Sequence, residues 1–159
     1  RAKLPEHQVD TIWQGVEAAR FEDRTSEVGF GDNRSHYGLA TADLDGDGFL
    51  DMVMSSPSEP PVAWFNRCDA THHWLELELV GQPENYQGFG ARVEVESGGR
   101  SELQEVQNVR GLAQSPSRLH FGLGAAERIE RLTVVWPGGQ VSELLDIGGD
   151  RLVTAYEPE

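Results

Sequence analysis

Four aspartates within nine residues, Asp43, Asp45, Asp47 and Asp51, concentrate the chemistry of this chain. They lie in Asp43-Leu44-Asp45-Gly46-Asp47-Gly48-Phe49-Leu50-Asp51, which puts side-chain oxygens at loop positions 1, 3, 5 and 9. The backbone carbonyl of Phe49 falls at position 7. Hard oxygen donors at this spacing form a cage suited to Ca²⁺. Without a cation the acids oppose one another, since two like unit charges 4 Å apart repel by about 4 kcal/mol at an effective dielectric near 20. Gly46 and Gly48 permit the tight backbone path that side chains disfavour. The expected metal ligands are therefore Asp43, Asp45, Asp47 and Asp51 through carboxylates, Asp51 directly or through a water, and Phe49 through its carbonyl. The expected ion is a structural Ca²⁺.

The flanks decide what kind of loop this is. A helix-loop-helix calcium hand closes with a bidentate Glu at position 12, and here position 12 is Met54. Leu50, Met52, Val53 and Met54 form a short apolar run that reads as a strand, and Tyr37-Gly38-Leu39-Ala40-Thr41-Ala42 is equally short and extended in character. Two strands, not two helices, must hold the loop.

Further along, period-2 alternation dominates. Leu75, Leu77 and Leu79 alternate with Glu76 and Glu78, and Ala91, Val93 and Val95 alternate with Arg92, Glu94 and Glu96, the pattern of half-buried strands. Ser97-Gly98-Gly99 reads as a hairpin turn into residues 101–109. Ile129, Leu132, Val134 and Trp136 mark another strand, ended by Pro137-Gly138-Gly139, and Leu152-Val153-Thr154-Ala155-Tyr156 closes the chain. Val62-Ala63-Trp64-Phe65-Asn66 reads as a strand after the breaker-rich stretch 55–61. His120, beside Phe121-Gly122-Leu123-Gly124, is expected in a tight turn. Thr11-Ile12-Trp13 is read as extended, and no convincing helix follows residue 20. Regular strand spacing with glycine turns implies an all-β fold ending in a β-sandwich or barrel.

These residues carry two family resemblances. Tyr37 to Asp43, the aspartate loop and Met52-Val53-Met54-Ser55, preceded by Arg20-Phe21-Glu22-Asp23-Arg24-Thr25 and Val28-Gly29-Phe30, resemble one FG-GAP/VCBS repeat. Such repeats form blades of calcium-binding β-propellers in integrin α-subunits and secreted bacterial proteins. Trp74 to Gly81, Asn85, Gly90-Ala91-Arg92-Val93, Gln114-Ser115, His120 to Gly124 and Val135 to Gly139 follow in the order of the ASPIC/UnbV domain. That domain occurs in cartilage acidic protein-like chains and their bacterial relatives. The resemblances imply three parts: an N-terminal segment 1–20 ending a preceding blade, a blade over 21–69, and a β-domain over 70–159. One blade cannot close a propeller, which needs about 4–8. Two expectations stand: a C-terminal piece of a larger propeller protein, which the missing fourth strand after Phe65 favours and which leaves an open blade edge available for self-association, or one small antiparallel sheet over residues 10–66 packed against the β-domain.

Composition narrows the function. The 159 residues carry 27 acids against 13 Lys and Arg, a net charge of −14. This excludes nucleic acid and anionic membrane surfaces, which need clustered positive charge, and suits cation binding. No apolar run approaches the ~20 residues of a membrane helix, and residues 1–20 are too polar for a leader. Cys68 is the only cysteine, so no intrachain disulfide forms; it reads as a bystander near a linker. Asn33-Arg34-Ser35 fits a glycosylation acceptor.

Catalytic signatures are absent: the chain has no G-x-S-x-G elbow, H-E-x-x-H helix or P-loop. His72 and His73 are adjacent and would point to opposite faces of a strand, His36 is isolated, and Ser115 and Ser117 have no base nearby in sequence. The expected function is a non-enzymatic, calcium-stabilised extracellular or cell-surface module for adhesion, matrix or surface display, with a protein or glycan partner. The rivals are a lectin-like module stacking sugars on Trp13, Trp64, Trp74 and Trp136 and, further off, a metal-dependent hydrolase.

Overall fold

The structure is a computed structural model that describes residues 10–17, 19–29, 36–67, 71–107 and 116–159. Residues 1–9, Phe30, the Asn33-Arg34-Ser35 triplet, Cys68 and Gln114-Ser115 lie outside the described residues. Those that are described form twelve strands and one short 3-10 turn at Pro83–Asn85, an all-β fold. No helix among them is long and apolar enough to cross a membrane.

The N-terminal half holds two small antiparallel sheets. Strands β1 (Trp13–Glu17) and β2 (Arg20–Asp23) pair as a hairpin, Trp13 opposite Asp23. The extended reading of Thr11-Ile12-Trp13 fits this pairing, which the Arg24 amide continues by donating to the Ile12 carbonyl at 2.9 Å. The second sheet has the order β3 (Gly38–Ala42), β4 (Asp51–Ser55), β5 (Val62–Trp64). The register pairs Ala42 with Asp51, so the aspartate loop spans the end of a β-hairpin. Only Met54 and Asp51 of β4 are buried. Among the described residues β3 and β5 each have one neighbour, which leaves two sheet edges.

The C-terminal half is a sandwich. One sheet has the order β11 (Val141–Gly148), β10 (Arg128–Val135), β7 (Arg92–Ser97), β8 (Arg100–Glu105). The other has the order β12 (Arg151–Tyr156), β6 (His73–Val80), β9 (Leu119–Gly124). Leu75, Leu77 and Phe121 from the second sheet meet Val93, Leu132 and Val134 from the first in one core, all fully buried. Trp136, at 1% exposure, closes one end, its indole N–H donating to Ser142 Oγ at 2.9 Å.

Two features differ from the sequence reading, and a third is a pairing it did not address. His120 is the second residue of strand β9, not part of a tight turn: Leu119 and Phe121 point into the core, and the alternation turns His120 outward. The strand expected over 101–109 stops at Glu105, although Val106 still exchanges hydrogen bonds with Ala91 and Gly90. Strand β12 pairs with β6 in parallel, Val153 opposite Leu77. The chain reaches β6 by leaving the other sheet at Gly148-Gly149-Asp150, where Asp150 adopts φ 56°. A link that changes sheets has no periodic signature in the sequence.

Two expectations follow. Phe121→Ala empties a fully buried site between the sheets and should cost about 3–5 kcal/mol in urea denaturation. On the exposed face, Arg128 Nε donates to Asp146 Oδ1 at 2.7 Å, and this hydrogen bond with the accompanying charge attraction holds the Asp146 carboxyl below the usual carboxylate range. A folded value below the unfolded one stabilises the fold above the ordinary carboxylate range, and the contribution disappears as pH falls through the folded value. Asp146→Asn keeps a residue that tolerates its φ of 56°. It should lower stability slightly at about pH 7, and the difference from the parent chain should close in acid once the folded carboxyl is protonated.

Candidate metal centre

The site begins at Asp51, the first residue of β4. It is 1% exposed, and both carboxylate oxygens are engaged: Oδ2 accepts the Leu44 amide at 2.9 Å and Oδ1 the Asn66 amide at 2.8 Å. A buried carboxylate is tolerated when it is hydrogen-bonded. Asp51 thereby ties the start of the loop to the segment after β5.

Asp43, at the end of β3, organises the middle of the loop. Its Oδ1 accepts the Gly46 amide at 2.8 Å and its Oδ2 the Gly48 amide at 2.9 Å. Gly46 and Gly48 both have positive φ, 78° and 89°, the conformation that directs their N–H groups inward. Asp47 Oδ1 accepts the Phe49 amide at 3.0 Å. Each carboxylate oxygen has two lone pairs, so an amide on each still leaves capacity for a cation.

The carboxylates of Asp43, Asp45 and Asp51 converge, with oxygens within 4.8 Å of one another. Oxygens on opposite sides of a Ca²⁺ are separated by about twice a Ca–O bond, roughly 5 Å. The spacing and the all-oxygen donor set both fit that ion. Asp47 stands outside this closest group, and its Oδ2 lies 3.7 Å from Arg67.

Arg67 is the residue that spacing alone did not reveal. Its Nη1 donates to Asp45 Oδ2 at 2.6 Å, and its guanidinium lies 5.5 Å from the centre of the Phe65 ring. The exposed guanidinium meets two of the four carboxylates, Asp45 and Asp47, and a single positive charge leaves the loop with an excess of negative charge. A cleft of about 430 Å³ beside the loop, lined in part by Asp43, Glu76, Arg118 and His120, gives solvent a route to Asp43.

Two residues of the sandwich also reach the loop: His120 Nε2 donates to the Gly48 carbonyl at 2.8 Å, and Trp74 stacks on His120. Among the described residues the remaining histidines do not gather at a centre, and His7 lies outside them. His73 meets Asp150 at 2.7 Å, His36 pairs with Asp10, and His72 lies beside Thr71. Nor do the tryptophans form a four-membered platform. Trp136 is in the core, Trp74 is packed at the loop and Trp64 is half-buried in β5, so Trp13 is the one largely exposed member.

Comparison with known families finds two matches. Residues 37–71 match the FG-GAP repeat, and residues 81–159 match the family described as ASPIC and UnbV. FG-GAP repeats are propeller-blade repeats, often bind Ca²⁺ and are typical of extracellular or surface proteins. Both domain types are generally non-catalytic. No curated protein matches the chain. The aspartate loop thus falls within the first match, and every strand of the sandwich except β6 (His73–Val80) falls within the second: the chain carries an FG-GAP repeat followed by an ASPIC and UnbV domain.

Proposed function

We propose that this chain is a non-enzymatic, extracellular or cell-surface module whose repeat is held in shape by Ca²⁺, serving adhesion, matrix assembly or surface display. The observation that carries the reading is the convergence of Asp43, Asp45 and Asp51 within 4.8 Å in a loop with surplus negative charge. Asp47 and the Phe49 carbonyl complete the proposed ligand set. The ion offsets carboxylate repulsion and pins the hairpin end, a structural role. Metal-dependent hydrolysis would require an open metal position with a general base close by. The histidine nearest this loop, His120, instead engages a backbone carbonyl.

The partner in this reading is a protein or glycan at the cell surface or matrix. Self-association through an open blade edge is part of the proposal, since β3 and β5 each have one strand neighbour among the described residues and an edge accepts an added strand, including from a second copy. The domain limits of the proposal are a segment 1–20, a repeat 21–69 and a β-domain 70–159.

Extracellular modules bind Ca²⁺ with dissociation constants of about 10⁻⁴–10⁻³ M. At tenfold excess over such a constant, linkage adds about 1.4 kcal/mol, which corresponds to a rise of roughly 3–6 °C in Tm for a chain of this size. Calcium should therefore raise the Tm in a thermal melt, chelator should reverse the rise, and Asp45→Ala should abolish it. A Tm indifferent to Ca²⁺ contradicts the proposal. Asp45 is the informative position, because Asp51→Ala would also strand the Leu44 and Asn66 amides and destabilise the loop without any metal.

Arg67 competes with the ion for Asp45. An exposed pair of this kind is worth about 0.2–1 kcal/mol. Arg67→Gln should accordingly tighten Ca²⁺ binding by up to about fivefold in calorimetric titration. Weaker binding would mean that Arg67 supports the loop instead of competing for it.

A further inference from the structure

Gly48 stands apart from its neighbours, because it is the one residue between 43 and 50 that is buried. What covers it is the sandwich. A Cβ built on Gly48 would lie 1.8 Å from Trp74 Nε1 and 2.1 Å from Trp74 Cε2, so the indole rests directly against the glycine backbone. The φ of 89° at the same residue already disfavours a side chain. Glycine is demanded here twice, by the turn and by the second domain.

The contact is built on a sheet face. Register places Glu76 opposite His120 and Trp74 opposite Gly122, so Trp74, Glu76 and His120 share the face of the β12-β6-β9 sheet that looks away from the core. Trp74 and His120 stack with ring centres 6.3 Å apart and planes inclined by 10°. His120 is held from behind as well, since its main-chain carbonyl accepts Gln104 Nε2 from β8 at 2.7 Å. Arg118 and Glu76 form an ion pair at 3.1 Å beside it.

One peptide unit connects this face to the acids. The Gly48 amide donates to Asp43, and the Gly48 carbonyl accepts from His120. The N–H of the same 48–49 peptide plane, that of Phe49, donates to Asp47. His120 therefore fixes the orientation of the plane that carries Asp47's hydrogen bond and directly precedes the Phe49 carbonyl.

We propose that His120 and Trp74 make the ASPIC and UnbV domain a working part of the cation site. Ca²⁺ binding at the loop and docking of the sandwich against it are then coupled, each favouring the other. The inference rests on the Ca²⁺ reading of the loop and adds regulation of that site by the second domain. Docking pre-organises the loop and lowers the ordering cost of ion binding. By linkage, the ion strengthens docking by the same factor.

The test uses the full chain. Ca²⁺ titration calorimetry compares the parent with His120→Ala, His120→Gln and Asp45→Ala, while hydrogen exchange follows β6 and β9 of the parent with and without Ca²⁺. Loss of one hydrogen bond of ordinary strength should weaken Ca²⁺ binding in His120→Ala by about three- to tenfold. His120→Gln, which keeps a donor, should stay within about twofold of the parent. Asp45→Ala should abolish binding, and Ca²⁺ should slow exchange in β6 and β9. Unchanged affinity in His120→Ala, with exchange in β6 and β9 indifferent to Ca²⁺, overturns the coupling and leaves the metal reading standing. Absence of Ca²⁺ binding by the parent overturns the metal reading and the coupling together. Should His120→Ala fail to fold, the exchange measurement on the parent decides alone.

Discussion

The buried carboxylate of Asp51 is the interaction on which the site depends. A negative charge at 1% exposure is tolerable only with strong partners, and the two it has are backbone amides from opposite sides of the hairpin, Leu44 and Asn66. Once Asp51 is held there, β3 and β4 end together and the eight residues between Ala42 and Asp51 must turn within a short span. Asp43 completes the turn by collecting the Gly46 and Gly48 amides. The convergence of three carboxylates is the consequence: the hydrogen bonds that shape the loop also force its charges together. A fold that gathers like charges through backbone bonds leaves a place where a cation lowers the free energy.

The second domain enters the same economy of contacts through strand alternation. In β6 and β9 one set of residues, among them Leu75, Leu77 and Phe121, fills the sandwich core. The other set, Trp74 and His120, lies on the opposite face against Gly48. A single sheet thus supports the core on one side and the loop on the other, and a change to either face is felt across about one strand thickness. The junction carries an imidazole, an indole and an ion pair where the core is wholly apolar in its packing. That composition matches a contact made between two domains and not a continuation of one core.

Much of this architecture was legible in the residues. The four aspartates, the strand character on both sides and Met54 at position 12 locate the loop on a β-hairpin, and period-2 alternation locates β6, β7 and β10. The structure departs from that reading where long-range geometry decides. His120 beside a glycine pair reads as a turn locally, yet Leu119 and Phe121 bury themselves on the core face and carry His120 into a strand. The parallel β6–β12 pairing joins segments at opposite ends of the second domain, and local pattern holds no information about parallel partners. Arg67 lies 22 residues from Asp45 and His120 lies 72 from Gly48, separations at which charge and spacing are mute. Trp74 reads as a core, domain-junction or sugar-stacking residue, and its ring packs on Gly48 at the junction, a partner that sequence spacing does not name.

The central claim is that the loop closes on Ca²⁺. The most direct measurement is a crystal structure of the chain with Ca²⁺ at millimolar concentration, read for the ion and its ligands. The account predicts a single ion with Asp43, Asp45, Asp47 and Asp51 carboxylates and the Phe49 carbonyl at about 2.3–2.6 Å, and Arg67 displaced from Asp45. A loop without an ion, with Arg67 still bound to Asp45, would contradict it.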